Sequence, residues 1–226
     1  MTERPVAVPQ SEGPLRVRLA SSSPRRRALL TDLGWDLEVL SPDVDESRRP
    51  GEGPAELCER LARLKATACA ADDDLPVVAA DTVVAIDGLV LGKPADRHGA
   101  CAMLRRLQGR THEVMTGLAV FWRGRLLSCV ERTSVTFRPL SEEAVCAYAA
   151  SGEGDDKAGA YAIQGLGGLL VSGIRGDYFN VVGLPLCRLG QMMESLGFCL
   201  NGMLVGSRSD VCVEKRSPVS EGEVEV

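Results

Sequence analysis

Histidine is nearly absent from the chain: His98 and His112 are the only two in 226 residues. That scarcity argues against Ser-His-Asp and Cys-His nucleophiles and, with no ligand cluster in the sequence, against zinc. Aromatic residues make up 4%, too few for the stacking platforms of an RNA-binding module. Positive charge does not dominate either. With 26 Lys and Arg against 31 Asp and Glu, the net charge is -5, so any basic patch is local and no nucleic-acid partner is expected. No apolar run approaches the ~20 residues of a membrane span, so no membrane partner is expected. The opening MTERPVAVPQSEGP, with no continuous hydrophobic segment, reads as a disordered leader over 1–14 rather than a signal peptide. Eight cysteines contain no C-x-x-C pair, and most stand beside alanine, valine or leucine, where free cysteine acts as a small hydrophobe. A reduced, cytoplasmic protein is the simplest account. Carboxylates, lysines, arginines and a metal are left to carry any chemistry.

What is present is an ordinary globular composition, 45% hydrophobic and 25% charged, with enough length for a sizeable core. Alternation predicts strands over 15–20 and 35–42, a hairpin over 75–94 turning at Asp87-Gly88, and two long antiparallel strands, 111–122 and 126–140. Helices are predicted over 24–34, 53–73, 97–109, 141–151 and 184–197, the second with Leu57, Leu61, Leu64 and Ala68 on its apolar face. A glycine-rich stretch runs from Gly152 to Gly183, and 199–226 reads as a polar, disordered tail. Interleaved strands and helices with a long hairpin indicate an α/β domain with a central mixed β-sheet flanked by helices.

Four stretches stand out. In LASSSPRRRALL (19–30), Ser23 before Pro24 is a candidate N-cap, yet Arg25, Arg26 and Arg27 fill the first turn, where the helix dipole favours acids. Taken alone, this is either a solvated turn or a site for an anion held by backbone N–H groups, hydroxyls and guanidinium forks. In VVAADTVVAID, Asp81 shares a strand face with Val83 and Ala85, so it needs a cation, a metal or hydrogen-bond donors, unless it marks a bulge. A regular hairpin would set Lys93 opposite Thr82, on the face away from Asp81. The two charges meet only if the ladder breaks near Gly92. Lys65 borders the apolar face of its helix, as a snorkelling stem also would. The acids of SPDVDE, including Glu46, read as a solvated turn, or as oxygen ligands suited to magnesium. Within GEGDDKAGAYAIQGLGG, Gln164 could read a nucleobase edge, or sit in a flexible loop.

Taken in order, LASSSPRRRALL, the turn ending in Glu46, Lys65 in LARLKA, AADTVV, LGKP, THEVMTG, DKAGAYAIQGLGG and GDYFNVVGLPL resemble the Maf family of septum-formation-inhibitor-like nucleoside triphosphate pyrophosphatases over roughly residues 15–198. The resemblance implies a Maf/ITPase-like domain with a nucleotide-binding cleft, a homodimer, and hydrolysis between the α and β phosphates with a divalent cation, magnesium or manganese. Asp81 would be the catalytic carboxylate and, with Glu46, a metal ligand. Ser21, Ser23, Arg25, Arg26, Lys65, Thr82, Lys93 and Gln164 would bind substrate. The combination of Arg25, Thr82 and Gln164 looks like the dTTP/UTP-cleaving branch, which would place the protein in control of the nucleotide pool. Ser22 departs from a glycine found in some members, and Arg27 has no implied role. The alternative is a nucleotide-binding regulator of cell division, for which a poised carboxylate would be superfluous.

Overall fold

The computed structural model describes residues 14–71 and 73–205. Strands β1 (Arg16–Ala20), β2 (Asp36–Leu40), β3 (Val77–Ile86), β4 (Leu89–Leu91), β5 (Thr111–Trp122), β6 (Arg125–Phe137) and β7 (Val171–Arg175) form one mixed sheet. Its order is β2-β1-β3-β5-β6-β7, with β4 on β3. The β1 pairings with β2 and β3 are parallel and the others antiparallel. Both hairpins turn through two-residue loops with positive φ, Asp87-Gly88 at 52° and 75° and Arg123-Gly124 at 47° and 75°. That geometry matches the right-handed twist of the strands.

Two helical layers enclose the sheet. On one face, α2 (Pro54–Ala68) packs through Leu57, Cys58, Leu61, Ala62 and Ala66 against Val77, Ala79, Val83 and Ala85 of β3. On the other face, α1 (Pro24–Asp32) and α6 (Leu186–Ser195) cover the β1 end, burying Leu30, Leu189 and Met193 against Val17, Leu19, Val78 and Leu118. Helices α3 (Arg97–Leu107) and α4 (Glu142–Ser151) cover the far end, around Val84, Val114 and Phe137.

Several boundaries differ from the sequence expectation. Helix α2 ends at Ala68 rather than 73, ahead of an aspartate run that a helix C-terminus disfavours. Its buried stripe is also rotated: Leu64 and Ala68 are exposed, and small residues face the sheet so that the helix can approach closely. The glycine-rich stretch contains β7 and a short helix, α5 (Tyr178–Val182), neither visible as a periodic pattern. Beyond 198, where the sequence expectation ends the folded part, helix α7 (Leu200–Val205) continues the chain. Its Met203 is buried in the α1–α6 core, and the Met203 carbonyl accepts a 3.3 Å hydrogen bond from Trp35 Nε1. Most of the predicted leader and residues 206–226 of the predicted tail lie outside the described residues.

One topological feature positions the site. On the edge of β3 away from β5, β1 pairs only as far as Leu19↔Val78, and β4 begins only at Leu91↔Val84. Residues 79–83 have no ladder partner on that side among the described residues. The sheet is split there.

Candidate active site

A cleft of about 590 Å³ opens at the split. It draws Asp81 and Thr82 from β3, Lys65 from α2, Glu46 from the β2–α2 loop, and Ser21, Ser23, Arg25 and Arg26 from the turn into α1. Lys93 after β4 and Gln164 after α4 complete the ten positions expected from the sequence. Asp156 and Lys157, which the sequence reading did not single out as site residues, line it too. Five cations therefore meet three carboxylates in a chain of net charge -5.

Asp81 faces α2, as the alternation requires. Its Oδ1 accepts a 2.6 Å hydrogen bond from Lys65 Nζ, and the same ammonium lies 2.7 Å from Glu46 Oε1. Lys65 and Asp81 side chains are mostly buried, at 11% and 14% exposure, while Glu46 is open to solvent at 57%. Pairing with Lys65 offsets the desolvation cost of a carboxylate placed in mid-strand. Lys65 can reach because α2 lies almost on the sheet: a Cβ on Gly117, which pairs with Asp81, would fall 2.1 Å from the Cys58 carbonyl oxygen.

Arg26 lies on the other side of the split. Its Nε donates to the Gly183 carbonyl at 2.8 Å, Nη1 to Ser21 Oγ at 3.0 Å and Nη2 to Thr82 Oγ1 at 3.0 Å. Three of its five N–H donors are thus taken, two tying α1 to β3 and to the end of α5 and one holding the turn before α1, leaving two for a ligand. Burial pushes the guanidinium below its ordinary value, with Asp81 opposing the shift, but it remains a cation. Behind it, the Thr82 hydroxyl meets Thr116 Oγ1 at 2.9 Å, and Thr116 donates to the Asn180 carbonyl at 3.1 Å. Asn180 Nδ2 in turn donates to Val114 and Thr133, so a buried polar chain anchors α5 beneath Arg26.

Ser23 caps α1 through a 3.5 Å contact from Arg26 N, and Ser21 Oγ accepts from Ser23 N at 3.2 Å. No acid stands in the first turn of α1, so its dipole faces the cleft uncompensated. Arg25 Nη1 lies 3.6 Å from Asp156 Oδ2 across the cleft mouth. Lys93 and Gln164 are exposed, without side-chain partners among the described residues. The ladder does break before Gly92, since β4 ends at Leu91, and Lys93 therefore joins Asp81 on one cleft.

Histidine contributes nothing here. His98 is exposed on α3, and His112 is buried beneath the cleft wall, its Nε2 2.8 Å from Tyr161 Oη. Cys58, under the Asp81–Lys65 pair, has its thiol pushed up to about 12 by burial and then by Asp81, which leaves it unreactive.

Among the described residues no three His, Cys, Asp or Glu side chains gather as a metal cage. Glu46 and Asp81 nevertheless present two carboxylates around one small volume now bridged by an ammonium. Magnesium suits such a pair, because it binds through one or two carboxylates and completes its shell with phosphate oxygens and water. The donor set fits.

The Maf-like protein family model matches residues 16–196. The chain belongs to the Maf family. The match takes in both faces of the split and all ten expected site positions. Among Maf relatives, the dTTP/UTP pyrophosphatase of Pseudoalteromonas translucida is 50% identical over 181 residues, covering 79% of this chain and 96% of that protein. The protein of that name from Symbiobacterium thermophilum is also 50% identical over 181 residues, covering 80% of this chain and 93% of its own. The one from Shigella sonnei is 48% identical over 179 residues, covering 78% and 91%. No described helix is long and apolar enough to cross a membrane.

Proposed function

We propose that this chain hydrolyses nucleoside triphosphates, dTTP and UTP first among them, between the α and β phosphates to give the monophosphate and pyrophosphate. The observation that carries the reading is the Asp81–Lys65–Glu46 cluster facing the Arg26 fork across the split edge of β3. Phosphoryl chemistry asks for positioning, cations against developing charge and an oriented water, and it asks for no histidine. The names of the relatives supply the pyrimidine triphosphates.

In this reading the triphosphate lies along the cationic wall. Ser21, Ser23 and the α1 N-terminus take phosphate oxygens, with Arg25, the free N–H groups of Arg26, and Lys93 as counter-charges. Asp81 orients the attacking water and accepts its proton, and Lys65 neutralises charge on the phosphoryl oxygens. Thr82 holds the Arg26 fork, and Gln164 offers an amide to the base edge. A divalent cation held by Glu46 and Asp81 would supply Lewis acidity at the phosphate oxygens. Removal of dTTP and UTP in this way would serve nucleotide-pool housecleaning.

The test is pyrophosphate release from dTTP, UTP, CTP, GTP and 7-methyl-GTP, with and without magnesium, beside Asp81→Asn. We expect magnesium-dependent release favouring dTTP and UTP, reduced by about a thousandfold or more in the variant, since it retains the shape but not the base. Triphosphate that binds but is not cleaved would overturn the catalytic reading and favour a nucleotide-binding regulator.

A further inference from the structure

Glu46 is the one carboxylate of the cluster that sits on a loop, and 57% of its side chain is exposed. A loop glutamate in water explores many rotamers, so something must hold its backbone if it is to meet Lys65 at 2.7 Å. The chain on its C-terminal side is unusually well tied. Arg60, five residues before Lys65 on α2, donates from Nη2 to the carbonyl of Ser47 at 2.9 Å. The same guanidinium forks onto Glu52, with Nε to Oε1 at 2.5 Å and Nη2 to Oε2 at 2.9 Å. Glu52 accepts in addition from the Arg49 backbone N–H at 3.1 Å, and its own carbonyl accepts from Arg48 Nε at 2.7 Å. On the other side of Glu46, Asp45 Oδ1 accepts from Ser47 N at 2.9 Å. Ser47 is therefore gripped through both its N–H and its carbonyl.

This ion pair is not an ordinary surface contact. Glu52 is 8% exposed and the Arg60 side chain 15%. The forked hydrogen bonds from Arg60 hold the Glu52 carboxyl down at about 2, well below the usual carboxylate range. Neither side chain lines the cleft. Their links run to the loop backbone from the helix that also delivers Lys65.

We propose that Arg60 and Glu52 are positioning residues for the reaction, clamping the loop so that Glu46 is held beside Lys65 and Asp81; the inference rests on the hydrolase reading above. Arg60 touches no reacting atom and acts only through Glu46. A planar fork is needed, because one group must bond both Glu52 oxygens and a carbonyl.

The test is a double-mutant cycle in the full chain, with dTTP as substrate across a magnesium titration. Arg60→Gln is expected to lower kcat by about tenfold and to raise the magnesium concentration for half-activity, leaving KM for dTTP within about twofold. In a Glu46→Ala background the same substitution is expected to cost little more, because the group it positions has gone. Arg60→Lys is expected to restore only part of the loss. Hydrogen exchange in the peptide spanning residues 43–50 gives a readout independent of turnover: protection is lost in Arg60→Gln and retained in Glu46→Ala. An equal loss of kcat in both backgrounds, or unchanged exchange, overturns the proposal. A wild-type chain that releases no pyrophosphate overturns the hydrolase reading instead, and the exchange measurement still decides the clamp.

Discussion

Gly117→Ala perturbs the packing of α2 and the site together. A Cβ at 117 would lie 2.1 Å from the carbonyl oxygen of Cys58, 2.3 Å from its carbonyl carbon and 2.5 Å from the amide nitrogen of Glu59. All three are backbone atoms inside α2, so no rotamer change relieves the clash. Restoring ordinary contact requires the helix to lift by ~1.3 Å, in an interior packed as densely as an organic crystal. Overpacking of this kind costs about 1–3 kcal/mol. At the upper end, a domain of this size loses about 6–12 °C in Tm. The same lift moves Lys65, two turns further along α2, away from Asp81, now 2.6 Å from its ammonium. A misplacement near 1 Å in a catalytic constellation can cost about a hundredfold in rate. Thermal unfolding by circular dichroism and pyrophosphate release from dTTP read the two effects separately. Wild-type Tm together with wild-type kcat would refute the close approach of α2. A lowered Tm with unchanged kcat would refute only its coupling to Lys65.

Thr116→Val keeps the shape but leaves the buried Asn180 carbonyl without its donor and the Thr82 hydroxyl with Arg26 as its remaining partner. Urea denaturation should show a loss of about 1–3 kcal/mol, and KM for dTTP should rise as Arg26 loosens. His112 supplies a pH dependence. Burial holds its imidazole down at about 4, against 6.5 in the unfolded chain, so the unfolded state binds more protons between those values. The His112 contribution is therefore retained above pH 6.5 and is lost as the pH drops towards 4, by about 3 kcal/mol in all. Denaturation at pH 7, 5.5 and 4.5 should follow that slope, and His112→Phe with Tyr161→Phe should flatten it; a slope unchanged in the double variant would remove His112 as its source.

Much of this site was legible because the sequence violates local rules where the site lies. Arginines in the first turn of α1 and an aspartate in an apolar strand are costs that burial and helix dipoles make conspicuous. The residues behind them were harder to see. Thr116 and Asn180 lie in stretches where hydroxyl and amide side chains are unremarkable, and their role depends on β5 passing over α5, a contact between distant parts of the chain. Gly117 closes THEVMTG, one of the stretches that carry the resemblance, but no local pattern marks its close approach, because its neighbour is the backbone of α2, not a side chain with a pattern. Arg60 and Glu52 carry no local signal, since charged residues are ordinary on an amphipathic helix and in the turn before it. Strand β7 and helix α5 were lost among glycines whose spacing has no period.

The split in the sheet reconciles the alternation of a strand with the demands of one ligand. In an unbroken sheet Asp81 and Thr82 point to opposite faces and cannot serve the same molecule. Here β1 leaves at Ala20 and β4 stops at Leu91, so the cleft passes through the sheet edge and meets both side chains. The brevity of β4 is then a requirement. Two more residues of pairing would close residues 82 and 83 and turn Lys93 into a strand residue opposite Thr82, on the face away from Asp81. An uncovered edge is ordinarily a liability, since its N–H and C=O groups invite another strand. At this edge the crowding of five cations and three carboxylates makes a phosphate-bearing ligand a better partner than a second β-strand.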